Sequence, residues 1–508
     1  MKHEAEISEL EWFSNLSVEE KATEKNKTGI ICTVSPKVNS PEMLRKLHTR
    51  GMNIVRMNFS HGTHSDHLQT IENVKKTFRN DKYPVALALD TKGPEIRLGE
   101  IKEGEVTITK GQEVVLTTDG KYRKEGDRSC IFVDYARLPQ VVARGSLIYI
   151  DDGILSLTVL ECREDTVRTE ANNTHTISSR RGVNLPYTSV DLPAISEKDR
   201  ADILFGVENN VDIIFASFIR KASDIATIRN ILAENGKYIA VVAKIENHEG
   251  VQNIAEIIEE ADGIMIARGD LGIEIEPEKV FTAQKKITTL CNRIGKPVIC
   301  ATQMLDSMIR NPRPTRAEIS DIGNAVLDGV DCVMLSGETA SGSYPLEAVE
   351  TMRRVCMEAE RAAPKEAQVG QLLKHSIERD GVLEAFARSV SMMTLHTKIA
   401  AVITLAMTGH SAGLIAKYRP KAPLIAVTRN EKISNTLLLR RGCIPFLYRV
   451  PTAKADWDEE VQLRLRWAVR HAVELKIIGE DDLVLLVYGP KTGESENNTF
   501  RVTPASSF

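Results

Sequence analysis

Several things are missing from this 508-residue chain, and each absence narrows what it does. The opening residues, MKHEAEISELEWF, hold no apolar core of signal-peptide length, so no leader is expected. No run approaches the roughly 18 apolar residues of a membrane span, so no membrane partner is expected. The eight cysteines are scattered with no CxxC pair, and most fall inside apolar runs. That pattern reads as buried free thiols in a reducing cytoplasm rather than disulfides or a zinc site. A basic stripe is also missing: with a net charge of −4, no nucleic-acid partner is expected. A nucleotide P-loop is absent as well. The nearest match, GETASGS at 337–343, has the glycine spacing but lacks the lysine. Internal repeats and low-complexity tracts are not found.

What is present is ordinary in bulk, with 42% hydrophobic and 27% charged residues. The length is too great for one core and suggests about three domains. Residues 1–28 read as a polar arm, with one short helix docked through Trp12 and Phe13. A rhythm then begins. Strand-like apolar runs occupy 29–34, 53–58, 84–90, 211–218, 238–246, 263–270, 297–302 and 331–336. Helical patterns lie between most of them, at 41–50, 64–77, 222–235, 251–260 and 280–294. Eight such alternations predict a (β/α)8 TIM barrel, with a doubly wound sheet as the rival. The run ends favour the barrel. Thr33, Arg56 with Asn58, Asp90, Ser217, Lys244 with Glu246, Arg268 with Asp270, Thr302, and Ser336 with Glu338 all stand where a run stops being apolar. A barrel gathers such ends at one mouth.

The rhythm breaks at 95–190, which is rich in β-formers and short of helical periods. It reads as an inserted all-β lid domain with hinges at Pro94 and Pro193, placed to exclude water. The expected division is an arm at 1–28, barrel at 29–94 and 191–363, lid at 95–190, and a C-terminal α/β domain at 364–508. The strands of that last domain are AAVITLAMTG, PLIAVTR, CIPFLYRV, DDLVLLVYG and TFRVTP, with a helix at 457–475.

The densest chemistry lies at 241–272, VVAKIENHEGVQNIAEIIEEADGIMIARGDLG. Two consecutive strand ends offer Glu246 and Asp270 as oxygen ligands for a divalent cation such as Mg²⁺. Lys244 and Arg56 offer positive charge for a phosphoryl group. Ordinary salt bridging at loop starts is the plainer reading of the same residues. At the ends of the second and third runs, Asn58, Ser60, Asp90 and Thr91 supply oxygens carrying one formal charge. That set suits a weakly charged cation, but spacing alone favours simple hydrogen bonding among loop groups.

The stretches RMNFSHG at 56–62, LDTKGPEIR at 89–97, KIEN at 244–247, ARGDLG at 267–272, CATQM at 300–304, NPRPTRAE at 311–318 and MLSGETA at 334–340 closely resemble pyruvate kinase. The likeness runs in order from about residue 29 to the C-terminus. It implies transfer of phosphate from phosphoenolpyruvate to ADP, giving ATP and pyruvate. It makes Glu246 and Asp270 the ligands of Mg²⁺ or Mn²⁺, and Asn58, Ser60, Asp90 and Thr91 those of K⁺. Glu95 matches the acidic residue of potassium-dependent members. Arg56 and Lys244 match groups on the phosphoryl, and Gly269, Asp270 and Thr302 the substrate carboxylate pocket. Thr302 lies near the enolate carbon that is protonated. Asn58, His61, Arg97 and Arg181 match nucleotide contacts. Another metal-dependent barrel acting on enolates, an aldolase or acyl lyase, would use Glu246 and Asp270 too, but needs neither the lid nor the C-terminal domain.

The chain also departs from the family pattern. Ser35 stands where a glycine precedes Pro36, Arg180 and Arg181 replace two lysines at the second lid hinge, and Tyr187 replaces a glycine there. In regulated members a hydroxyl-rich turn of the last domain cradles a sugar bisphosphate. The matching turn here, AMTGHS at 406–411, keeps only Thr408 and Ser411, while Trp457 and Arg464 match residues for the second phosphate. Glu494 and Glu496 bring like charge toward that anion site. The resemblance implies a cytoplasmic homotetramer, and these departures imply a weakened or altered response to a sugar-bisphosphate effector.

Overall fold

The computed structural model describes residues 8–22, 26–79, 81–379, 381–451, 457–489 and 499–508. Eight parallel strands close a barrel: β1 (Gly29–Thr33), β2 (Ile54–Asn58), β3 (Ala86–Asp90), β4 (Ile213–Ala216), β5 (Ala240–Ile245), β6 (Gly263–Ala267), β7 (Val298–Ala301) and β8 (Cys332–Leu335). Each strand pairs with its sequence neighbours, and β1 pairs with β8 to complete the circle. Both faces of these strands are buried, which is why the runs are apolar throughout rather than alternating. Ile31, Ile54, Ala88, Phe215, Val242, Met265 and Ile299 fill the interior. Their outward neighbours, such as Ile30, Val55, Leu87, Ile214, Val241 and Ile264, pack beneath the helices.

Local signals set the helices. Pro41–Arg50 starts at Ser40, whose hydroxyl accepts the Met43 amide, with proline in its first turn. It stops at Gly51, where φ is 130°. Three expectations are corrected. The 263–270 run leaves strand conformation after Ala267, and Arg268–Glu274 is a short helix. The 251–260 helix breaks at Asn253 into His248–Gln252 and Ile254–Glu260. Lys244 and Arg56 do not stand at emergent ends. Both lie within their strands, 8% exposed.

Between β3 and β4 sits a seven-stranded sheet running from Ile96–Arg97 to Gly182–Asn184, with a two-stranded partner and its own core. The C-terminal part holds a five-stranded sheet in the order Cys443–Leu447, Leu424–Thr428, Ala401–Leu405, Leu483–Tyr488 and Thr499–Pro504. Only its last strand is antiparallel. Near the N-terminus, the helix Glu9–Ser14 docks through the Trp12 indole, which donates to the Ala362 carbonyl at 2.7 Å. Phe13, expected to share that role, stays 41% exposed.

Candidate active site

The polar strand ends converge at the C-terminal mouth. Four charged side chains there alternate in sign. Arg56 Nε donates to Asp90 Oδ2 at 2.6 Å, and its Nη1 donates to Thr33 Oγ1 at 2.8 Å. Lys244 Nζ donates to Asp90 Oδ1 at 2.9 Å and to Ser217 Oγ at 2.7 Å, and lies 3.0 Å from Glu246 Oε1. Glu246 Oε2 accepts the Phe218 amide at 2.6 Å. Asp90 and Glu246 are each 1% exposed. Ions so buried are tolerated only when each has opposite charge in contact. Burial alone would lower Lys244, but Asp90 and Glu246 raise it above its ordinary value, so it stays an ammonium ion. Asp90 resists the upward push of burial because Arg56 and Lys244 hold it below the usual carboxylate range.

Asp270 stands beside this chain of charges, in the first turn of Arg268–Glu274. Burial, then the charge of Glu246, pushes its carboxyl up to about 7 against the pull of Lys244. A carboxyl raised by burial and by a neighbouring carboxylate fits a divalent cation held between the two. Among the described residues no group of three or more His, Cys, Asp or Glu gathers as a metal site. Glu246 and Asp270 therefore supply only part of a hard cation's six or more oxygens, leaving positions for water and substrate.

Gly269 and Thr302 meet directly: a Cβ on Gly269 would lie 2.7 Å from Thr302 Cγ2. Thr302 holds φ at 75°, a left-handed conformation that is costly for a β-branched residue. Such strain is retained where surrounding contacts enforce it. Arg268 braces the turn, donating to the Thr302 carbonyl at 2.8 Å and to Asp321 at 2.7 Å. On the other side Asn58 faces Asp90 across the ladder, and its Oδ1 accepts the Ser60 amide at 3.1 Å. Thr91 Oγ1 accepts the Ser217 amide at 3.0 Å. The one formal charge of this oxygen set is already shared with two cations, which suits a monovalent ion better than a divalent one.

His61, Arg97, Arg181 and Asp270 line one cleft of ≈ 340 Å³ between barrel mouth and lid. Arg97 donates to the Arg180 carbonyl at 2.8 Å and pairs with Glu95; Arg181 pairs with Asp151 at 3.0 Å.

A family model described as "Pyruvate kinase, barrel domain" matches residues 25–349, and "Pyruvate kinase, alpha/beta domain" matches 384–503. The chain is 48% identical to a pyruvate kinase of Hypocrea jecorina, covering 98% of this chain and 94% of that protein. Pyruvate kinases of Candida albicans and Agaricus bisporus are each 47% identical; the first match covers 98% of this chain and 99% of the relative, the second 97% and 95%. The chain belongs to the pyruvate kinase family. It is accordingly a kinase, a transferase of glycolysis, carrying the barrel and α/β domains of pyruvate kinase.

Against that family, the lid hinge contains contacts that the sequence did not suggest. Tyr187 has φ 56°, a conformation glycine adopts freely and a tyrosine adopts at a cost of about 1–2 kcal/mol. Its ring packs edge-on against His248 at 4.7 Å, and its hydroxyl accepts the Glu276 amide at 3.2 Å. Asn184 donates to Glu274 and Ser189 to Glu249, both at 2.8 Å. Arg220, 6% exposed, grips the Val190 and Leu192 carbonyls. Sequence reasoning missed Arg220; its only signal was a cation four residues beyond the end of β4.

Of the predicted effector residues, Thr408, Ser411 and Arg464 are described with their side chains. Thr408 lines a ≈ 550 Å³ cavity with barrel residues such as Arg229 and Lys237, and Arg464 is not among its walls. Arg464 is tied to Glu460 at 2.8 Å, which also holds Arg429 at 2.7 Å, and lies over the Tyr448 ring. Ser411 lies in the first turn of His410–Lys417, the helix that follows the Ala401–Leu405 strand. The side chain of Trp457 and the loop with Glu494 and Glu496 lie outside the described residues.

Proposed function

We propose that this enzyme transfers the phosphoryl group of phosphoenolpyruvate to ADP, giving ATP and pyruvate, the last step of glycolysis. The observation that carries the reading is the buried alternation Arg56–Asp90–Lys244–Glu246 beside Asp270. It presents two cations and two metal-ready carboxylates at one mouth. Arg56 and Lys244 face the transferring phosphoryl and steady its spreading charge. Gly269 and Asp270 amides, with the Thr302 hydroxyl, hold the substrate carboxylate. Loss of the phosphoryl leaves an enolate, whose oxygen Lys244 stabilises until protonation near Thr302 yields the ketone. A divalent cation, Mg²⁺ or Mn²⁺, held by Glu246 and Asp270 would neutralise charge on the phosphoryl and enolate oxygens. Asn58, Ser60, Asp90 and Thr91 would hold K⁺. His61, Arg97 and Arg181, with Asn58, would contact the nucleotide, and closure of the lid at Pro94 and Pro193 would keep water from the phosphoryl.

The reading extends to the division at residues 28, 94, 190 and 363, a cytoplasmic setting, a homotetramer and a weakened sugar-bisphosphate response. Arg464 already paired with Glu460 supports that last part. A coupled assay tests the reaction. Pyruvate should form from phosphoenolpyruvate and ADP with Mg²⁺ and K⁺, and fall sharply when Na⁺ replaces K⁺. No pyruvate with either monovalent ion would refute the reading. Fructose 1,6-bisphosphate should shift the phosphoenolpyruvate saturation curve little; a large leftward shift would refute the weakened response.

A further inference from the structure

Lys244 Nζ donates to Asp90 and Ser217 and is in ion-pair contact with Glu246, three oxygen partners in all. Two are carboxylates with other obligations: Asp90 also accepts Arg56, and Glu246 also accepts the Phe218 amide. The third and nearest is the hydroxyl of Ser217, at 2.7 Å. This oxygen is held in a fixed orientation. Its own proton has the Thr91 carbonyl at 2.6 Å as its near acceptor and Asp90 Oδ1 at 3.3 Å as a farther one, and a lone pair is left for Lys244. The backbone of Ser217 is anchored to the same residue, its amide donating to Thr91 Oγ1 at 3.0 Å. Packing holds the residue as well. Ser217 is 3% exposed, and a Cβ on Gly93 at the first lid hinge would lie 2.8 Å from Ser217 Cβ and 2.6 Å from the Phe218 ring. The hydroxyl oxygen thus has one position, and its proton favours the nearer acceptor, the Thr91 carbonyl.

We infer that Ser217 is a positioning residue for Lys244, a neutral acceptor of fixed direction that sets where the ammonium stands at the barrel mouth. The inference rests on the reading of Lys244 as a phosphoryl-contacting group. A lysine held by two carboxylates alone settles on the line between them. A third acceptor off that line draws the nitrogen out of it and fixes its rotation. A point charge on a flexible four-carbon stem has no intrinsic direction, so a catalytic lysine needs such a constraint. The acceptor costs little because it adds no further charge to a group already balanced. Ser217 touches no reacting atom on this reading; it acts through Lys244.

Two variants test this in the full-length enzyme. Ser217→Ala removes the acceptor; Ser217→Cys keeps nearly the volume but offers a poor one. Both should lower kcat roughly tenfold, equivalent to about 1.4 kcal/mol of barrier, because a misplaced ammonium loses contacts made chiefly in the transition state. The KM for phosphoenolpyruvate, and its affinity measured calorimetrically with Mg²⁺ and without ADP, should change less than about threefold. Three results would overturn the inference: unchanged kcat in Ser217→Ala, recovery of kcat in Ser217→Cys, or a rise in KM with kcat intact. The second would assign Ser217 to packing alone, and the third to substrate binding. Turnover by the unsubstituted enzyme is a separate measurement, so failure of the reaction itself is distinguishable from failure of this role.

Discussion

Replacing Asp90 with asparagine should cost this enzyme both stability and turnover, and the size of the stability loss follows from the contacts. Asp90 is 1% exposed and bonds Arg56 at 2.6 Å and Lys244 at 2.9 Å. Asparagine fits the space but carries no charge. Lys244 would keep Glu246, at 3.0 Å. Arg56 would keep only the neutral Thr33 hydroxyl, at 2.8 Å. Removing one partner of a buried pair costs about 3–5 kcal/mol; the surviving Glu246 contact puts Asp90→Asn at the low end, about 3 kcal/mol. At about 2–4 °C per kcal/mol for a domain of this size, the barrel transition should fall by roughly 6–12 °C. Scanning calorimetry on the unsubstituted and variant proteins measures it. Adding Arg56→Met should restore part of the loss, since no unpaired guanidinium then remains, and contacting residues couple by about 0.5–3 kcal/mol. A transition within about 2 °C of the unsubstituted enzyme, or a double variant less stable than the two losses summed, would refute the alternating-charge account.

Three further outcomes are expected. Lys244→Met should lower turnover by roughly 10²–10³-fold or more while circular dichroism stays close to that of the unsubstituted enzyme; near-normal turnover would remove Lys244 from the phosphoryl. Gly269→Ala places a Cβ 2.7 Å from Thr302 Cγ2, so kcat/KM for phosphoenolpyruvate should drop about 10- to 100-fold, the scale for a misplacement near 1 Å; an unchanged value would rule out the proposed carboxylate pocket. In the C-terminal part, burial would raise Glu384, yet bonds from Lys417 and Tyr418 bring it down to about 2. Its stabilisation is therefore complete above the ordinary carboxylate range and lost as pH falls through about 2. Glu384→Gln should destabilise by about 3 kcal/mol near neutrality by stranding Lys417, which is buried with it, and the gap to the unsubstituted protein should close between about pH 4.5 and 2; a gap that persists at pH 2 would contradict the assignment.

How much of this was legible beforehand differs from residue to residue. The barrel was readable because each of its strands is buried on both faces, and unbroken apolar runs alternating with helical periods are what that burial demands. Glu246 and Asp270 were readable because a carboxylate just past such a run has nowhere to stand but the mouth. Lys244 was seen but misplaced. It lies inside β5, at a position a sequence reading assigns to apolar side chains, and is neutralised there by Glu246 and by Asp90, 154 residues earlier in the chain. The first three residues of the Arg268–Glu274 helix were read as the end of the 263–270 strand run, whereas the close approach of Gly269 to Thr302 is a tertiary fact. Tyr187 was visible as a departure, but its left-handed backbone and its hold on Glu276 were not.

The sequence by itself determined the eight-strand rhythm, the β-rich insertion, the order of the motifs and hence the family, since these depend on local periodicity and residue identity. Only the tertiary structure decided how Asp90 is shared by Arg56 and Lys244, that Ser217 supplies a neutral acceptor for Lys244, and that Glu460 holds Arg429. Those are pairings between residues on different strands or turns. They follow from distance and burial in three dimensions, where desolvation makes an unpaired charge too costly to keep, and no spacing along the chain encodes them.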